Sequence, residues 1–503
     1  MAQSWTFGGQ VTRHDDGSLS LSLDAVPVVV PVPDPEPDPI PDPVPSVGWT
    51  ELLPSADSRL IYVSSSAGDD TNDGLSESTP LRTIAAARTR VRNGFPDWVL
   101  LKRGDTFTEG RLQWDRGGRS PSEKLVLTAY GSGPRPVLQA TGFIFFWRNY
   151  PPEYSLDNLA ITHLDFQGRL AEDGSSPGNH TAILFSGKTR NHLIEGCRFA
   201  GYGTGVTYQW QPSQVIWNQS LVFRRNVVAD CEGVAGLLVD RMDGITIEDN
   251  VFDHNGWGGV GASIFDHNVY LLETHSAWIN GNIFSRGSNF GTKLSSDKPG
   301  AFTDFLVEDN LYFNNGIGID HSDGSSGDIQ TTFTHQFGTI RNNVFTELGR
   351  TFANGGKQDL CAHQLNSERL TWENNLFVHK PQVHYGVILA WGGHHKNATI
   401  KNNIAHDWHQ PESSRESDYF LHLADRNVDG MTASENAINQ PDTQYVDPAR
   451  TVGSYHASIG GSSSAIDLIT RARQLSMDTW DSRYTAAAVN KYMRAGFAVR
   501  KSV

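Results

Sequence analysis

TIEDNVF (246–252), WINGNIF (278–284), LVEDNLY (306–312) and TIRNNVF (339–345) are one phrase written four times. Each runs from an apolar residue through polar or small ones to an asparagine, then to another apolar residue. VFRRNVV (222–228), TWENNLF (371–377) and TIKNNIA (399–405) repeat it, so the asparagines fall at Asn226, Asn250, Asn282, Asn310, Asn343, Asn375 and Asn403. The spacings are 24, 32, 28, 33, 32 and 28 residues. Cys197 in LIEGCRF takes the same slot earlier, Leu164 in ITHLDF precedes it, and Asn436 in TASENAI is a degenerate last copy.

A unit this short cannot bury its own apolar face, so the units must stack on one another into a continuous core. Short β-branched runs between Gly and Asn turns, with no helical period, favour a parallel β-helix over helical or leucine-rich repeats. An inward amide at a bend can bond its equivalents on the coils above and below, which satisfies polar groups that burial would otherwise orphan. The asparagines are therefore read as structural. The ends of a solenoid need covers. PLRTIAAARTRVRNG (80–94) puts Leu81, Ile84, Ala85 and Val91 on one helical face, with Thr79 as N-cap, and predicts an N-terminal lid. The helical stretches 462–475 and 484–496 predict a cover for the C-terminal opening. The expected fold class is all-β, a right-handed parallel β-helix with an N-terminal capping helix, a C-terminal helical cap and a short N-terminal tether.

The chain has 503 residues, 41 basic and 56 acidic, a net charge of −15. Such a surface repels a phosphate backbone, so nucleic acid is not an expected partner, and it admits an acidic polymer only at a local basic site. No apolar run is long enough for a membrane span, and no secretory leader is read at the start. Cys197, Cys231 and Cys361 are far apart and read as buried free thiols. Residues 1–25 alternate around Asp16-Gly17, a β-hairpin signal. Residues 26–48 form a linker, in which nine of the nineteen residues Pro27–Pro45 are proline. It predicts an extended spacer of about 60 Å. The β-helix with its cap is expected over 49–440 and the helical cap over 441–503.

IYVSSSAGDDTNDGLSESTPLRTIAAA (61–87), the asparagine phrases and HNVYL (267–271) resemble the right-handed parallel β-helix proteins of the pectate-lyase-like superfamily. The terminal hairpin and proline spacer are similar to phage tail-associated polysaccharide depolymerases. That resemblance implies a virion location, or extracellular after release by a route other than a leader, and a phage tail or baseplate protein as partner of the N-terminal segment. Many tailspikes end in a β-rich trimerisation module where this chain has helices, so a trimer stays open.

Stacked strands lie about 4.8 Å apart, so outward residues of successive coils line up as a column that can grip a linear polymer. The strand preceding each phrase supplies the candidates: Asp240 and Arg241; His267, Tyr270, Glu273 and His275; Lys293; Asp320 and His321; His363. Trp257 and Trp391 lie in glycine-flanked segments where an indole could face a sugar ring. Two chemistries fit. A lyase needs a cation for a uronic carboxylate, a base and a proton donor, which Lys293, Tyr270, His267 and His321 can supply. A glycoside hydrolase needs paired carboxyls, offered by Asp240 with Glu273 or Glu273 with Asp320. No cofactor is required. GDDTNDG (68–74) leaves calcium open but fails the EF-hand spacing, and a plain turn is preferred. The expected activity is cleavage of an acidic exopolysaccharide or capsule by β-elimination. Hydrolysis, non-catalytic glycan binding by a tail fibre or adhesin, and uronate epimerisation are the alternatives.

Overall fold

A computed structural model describes residues 5–13, 19–27, 48–140, 142, 144–148, 155–168, 180–209, 217–258, 261–263, 265–296, 298, 300–321, 333–351, 357–358, 362–379, 389–408, 421–423 and 427–500. Met1–Pro45 and Ser46–Val503 are separate compact units. In the first, Trp5–Arg13 and Leu19–Pro27 pair antiparallel, from Trp5 opposite Pro27 to Arg13 opposite Leu19. The Asp16-Gly17 turn, most of the proline-rich segment and Cys361 lie outside the described residues.

The larger unit is a solenoid in which every coil crosses three parallel sheets. The first two sheets share long strands such as Ala235–Glu248 and His267–Asn280. These strands bend where Arg241 and Glu273 adopt positive φ, 55° and 41°. The third is a twelve-stranded sheet of short strands such as Val251–Asp253 and Ile283–Ser285. Alternation sends Val239, Leu271 and Leu294 inward from the first sheet, and Ile247, Ile279, Val307, Ile340, Trp372 and Ile400 inward from the second. Trp372 is thus core, as its slot in the repeat predicts. From the third sheet, Phe252, Phe284, Tyr312, Phe345 and Phe377 stack at centroid distances of 5.4, 5.0, 4.7 and 4.9 Å, close to the strand spacing.

The asparagines form the expected ladder at the bend between the second and third sheets. Asn282 N and Nδ2 both donate to Asn310 Oδ1 at 2.9 Å, and Asn310 N and Nδ2 both donate to Asn343 Oδ1 at 3.0 Å. The ladder starts at Cys197, whose N–H bonds Asn226 Oδ1, and ends with Asn403 on Asn436. The residue before each rung is left-handed: Asp249 at 55°, Gly281 at 66°, Asp309 at 56° and Asn342 at 57°. Gly, Asn and Asp adopt that conformation most readily, though Arg225 at 51° and Glu435 at 56° take it before Asn226 and Asn436. Outside the second sheet, Glu195, Arg224, Glu248, Asn280, Glu308, Arg341, Glu373 and Lys401 lie in register. Neighbouring charges pair, as in Arg224–Glu195 at 2.8 Å and Arg341–Glu308 at 2.8 Å.

Two expectations about the ends need correction. Helix α1 (Ile84–Arg90) is capped by Thr83, whose hydroxyl accepts from Ala86 N, and not by Thr79, which bonds Asp73. Ala87 is buried where Ala85 is exposed, because the shorter helix turns a different face inward. The C-terminal helices α2 (Val452–Ser458), α3 (Ala465–Ala472) and α4 (Ala486–Gly496) do not lie across the last coil. They pack along the outside of the third sheet, on Val227, Val251, Ile283, Leu311, Phe313, Val344, Leu376 and Val378. Apolar residues on both faces of those short strands demand a cover. Polar contacts fix the segment from early coils to late ones, among them Arg103–Asp478 at 2.7 Å, Arg473–Asp253 at 3.1 Å and Asn490 to the Asp309 carbonyl at 2.8 Å.

Cys197 and Cys231 are buried free thiols, and burial pushes both up to about 12. His192 is buried between Tyr208 Oη at 3.0 Å and the Leu156 carbonyl at 2.9 Å. Burial lowers it from 6.5 to about 4, so the folded chain holds it neutral. Below pH 6.5 the unfolded chain gains a proton that the folded chain refuses, and stability falls until about pH 4. His192 alone is expected to remove on the order of 3 kcal/mol across that window. Thermal melting from pH 7 to 4 checks this, with a shallower slope expected for His192→Gln. An unchanged slope would show that His192 does not titrate as described.

Candidate functional site

The register of the first sheet builds the site. Leu238, Tyr270, Lys293, Asp320 and His363 are consecutive backbone partners, one per coil. Tyr270 and Lys293 are flanked in sequence by inward residues, Val269 and Leu271 for the first and Thr292 and Leu294 for the second. Their own side chains are half-buried on the outer face. The Lys293 ammonium lies 5.1 Å from the Tyr270 ring centroid and 5.6 Å from that of Phe290, within cation–π range of both. Asp320 and His363 continue the column by backbone position, and their side chains lie outside the described residues.

His267, expected as a proton-transfer group, lies beside Tyr270. It is buried, with its ring 5.4 Å from Tyr270 and 4.8 Å from Phe290, while the next residue, Asn268, turns its amide to the inner Asn255 and Asn315. Burial first, then the charge of Lys293, holds it well below its usual range and neutral. It packs under the pair. His321 and Trp391 fall, by backbone position, in the register of Leu271 and Leu294, one residue beyond the Tyr270–Lys293 line, and their side chains lie outside the described residues.

At the bend into the second sheet, Glu273 faces Arg241 and not Asp240, whose partner is Leu272. Its carboxylate is bound from both sides, by Arg241 Nε at 2.7 Å and Lys298 Nζ at 2.6 Å. Asp240 Oδ2 lies 3.6 Å from Arg241 Nη1. Two carboxylates and two cations therefore compensate one another, which Glu273, Arg241 and Asp240 require because their side chains are largely out of water. Just past the bend, His275 stacks on Trp217 with centroids 4.0 Å apart and planes at 23°. Trp217 and Lys298 were not singled out in the sequence, yet a signal existed for the first. Trp217, Arg241 and Glu273 each stand nine residues before their ladder asparagines Asn226, Asn250 and Asn282.

Trp257 lies elsewhere on its coil, at the start of the path from the third sheet to the first. Its Nε1 donates to the Arg286 carbonyl at 2.7 Å and it stacks on His254 at 5.0 Å. The carboxylates of the 68–74 turn hold the turn itself. Asp69 accepts from Thr71, Asp70 from Arg82 and Thr83, and Asp73 from Leu75 and Thr79. Among the described residues no three His, Cys, Asp or Glu side chains converge as a metal site.

Superposed amides, stacked aromatic rings and in-register parallel strands decide the architecture. This chain is a right-handed parallel β-helix protein. Residues 168–359 of the β-helix match the family model described as periplasmic copper-binding protein (NosD). No curated protein matches the chain by sequence. Solved structures similar to it include a GH136 lacto-N-biosidase from Eubacterium ramulus, at 15% identity over 76% of this chain and 68% of that one, with a TM-score of 0.46. The Dettilon tailspike protein matches at 14% over 76% and 69%, TM-score 0.46. An alginate lyase from Paenibacillus sp. matches at 14% over 74% and 99%, TM-score 0.36. These likenesses concern the coil path and not the site.

Proposed function

We propose that this β-helix protein is a polysaccharide-active enzyme that cleaves an acidic polymer by β-elimination. The observation that carries the reading is the outward pair Tyr270 and Lys293, on adjacent coils with ammonium and ring 5.1 Å apart. In β-elimination the carbon next to a uronic carboxylate gives up its proton, the electron pair becomes a carbon–carbon double bond, and the glycosidic oxygen leaves with a proton. The Lys293 ammonium offsets the charge that grows on the carboxylate, while Tyr270 as the phenolate takes the carbon's proton and then, as the hydroxyl, gives it to the departing glycosidic oxygen. Hydrolysis through Asp240 and Glu273 fits less well, because one of the two must hold a proton as general acid and both carboxylates face the Arg241 guanidinium, Glu273 with Lys298 as well.

Incubation with a panel of uronate polymers tests this, following the ultraviolet absorbance of unsaturated product together with new reducing ends. Both should rise in step. Reducing ends without unsaturation would replace elimination by hydrolysis. Saturable binding with no shortening would make the protein a glycan-binding fibre or adhesin, and conversion without shortening an epimerase. The same proposal takes residues 1–25 as a docking hairpin for a phage tail or baseplate protein. Removal of residues 1–45, a compact unit of its own, is expected to leave cleavage in place. Lost cleavage would tie that unit to the site.

A further inference from the structure

The bend beside Tyr270 and Lys293 carries more chemistry than holding a coil together requires. Glu273 has an uncommon left-handed backbone at φ 41° and is buried, with only 7% of its side chain exposed. Outside the second sheet, ion pairs such as Arg341–Glu308 and Lys401–Glu373 join one charge to one on an adjacent coil. Glu273 instead gathers Arg241 from the coil before it and Lys298 from the segment after Phe290–Ser295. Lys298 is the asymmetric member. Its side chain is 51% exposed against 14% for Arg241, so its ammonium meets Glu273 while remaining accessible to solvent.

The second feature is the stacked pair on the same bend. Trp217 occupies the backbone column of Arg241 and Glu273, as the pairing of Asn218, Met242 and Thr274 fixes. Its indole reaches across the intervening coil to lie 4.0 Å from His275, nearly parallel. Both residues are half-buried. A broad aromatic plate beside paired cations combines an apolar surface for the C–H face of a pyranose with positive charge for a carboxylate.

We infer that Trp217 and Lys298 form a hexuronate-binding subsite next to the Tyr270–Lys293 pair. Trp217, braced by His275, stacks the sugar ring, and Lys298 takes the ring's carboxylate. Glu273 is the internal counter-ion that keeps Lys298 and Arg241 in place while no substrate is bound. The inference rests on the reading of the chain as acting on an acidic polymer, and it assigns recognition to residues outside the proton-transfer pair.

The test is equilibrium binding of the full chain, by calorimetry, to polygalacturonate, alginate and hyaluronan and to the same polymers after reduction of their carboxyl groups. Wild type should bind at least one acidic polymer about tenfold more tightly than its reduced form, about 1.4 kcal/mol. Lys298→Met should erase that preference and leave affinity for the reduced polymer unchanged. Trp217→Ala should weaken both forms about tenfold, with Trp217→Phe intermediate. Circular dichroism and melting of each variant establish that it is folded. Binding that depends on Trp217 and Lys298 without unsaturated product would uphold the subsite and remove β-elimination. Unsaturated product with unchanged KM in both variants would do the reverse. Failure of all three acidic polymers to bind overturns the subsite.

Discussion

Lys293→Ala and Tyr270→Phe are each expected to slow the release of unsaturated product by about a hundredfold or more, the scale of a lost proton-transfer or charge-stabilising group. The two side chains occupy adjacent coils on the outer face of the first sheet. Tyr270→Phe keeps the ring that packs on His267 and faces the ammonium, so the fold should persist while the hydroxyl is removed. Initial rates on a cleaved uronate polymer, together with melting curves, separate the two effects. Rates within a few-fold of wild type for both variants would take the pair out of the mechanism and with it the elimination reading.

Asn310→Ala is expected to cost roughly 3–5 kcal/mol of stability, because several buried partners lose their bonds together. Asn310 Oδ1 accepts from Asn282 N and Nδ2, and its Nδ2 donates to the Ile279 carbonyl and to Asn343 Oδ1. Asn282, Asn310 and Asn343 are buried inside the coil stack, so the groups that lose their partner are left desolvated and unpaired. Asn436→Ala, at the half-buried last rung, should cost less than half as much. Chemical denaturation of both variants gives the comparison. Equal and small losses would mean that the amides decorate the bend without holding it.

The ladder was legible in the sequence because a buried amide admits little substitution. Replacing it strands its neighbours' donors, so the phrase returns with its polar slot intact in seven copies from Asn226 to Asn403. The aromatic stack that follows the rungs could not be read from the phrase, since that position varies from Phe and Tyr to Val and Ala along the copies. The site was only partly legible. Counting back from the ladder places Trp217, Arg241 and Glu273 in one column, nine residues before each rung. The same count fails on the first sheet, where Leu238 and Tyr270 stand 12 residues before their rungs, Lys293 17 and Asp320 23. Segments of different length are inserted at the bend, and they erase the period for everything upstream. The burial of His267 was not legible, because it comes from Tyr270 and Phe290 packing around the ring, and Phe290 belongs to the next coil.

The amino-acid sequence by itself determined that the chain winds into stacked coils and where each coil turns, since both follow from hydrogen-bonding demands that repeat within a coil's length. Only the tertiary structure decided which outward residues are neighbours and where the C-terminal helices rest. Those depend on insertions between sheets and on an apolar outer face assembled from many coils, and neither leaves a mark within any single repeat.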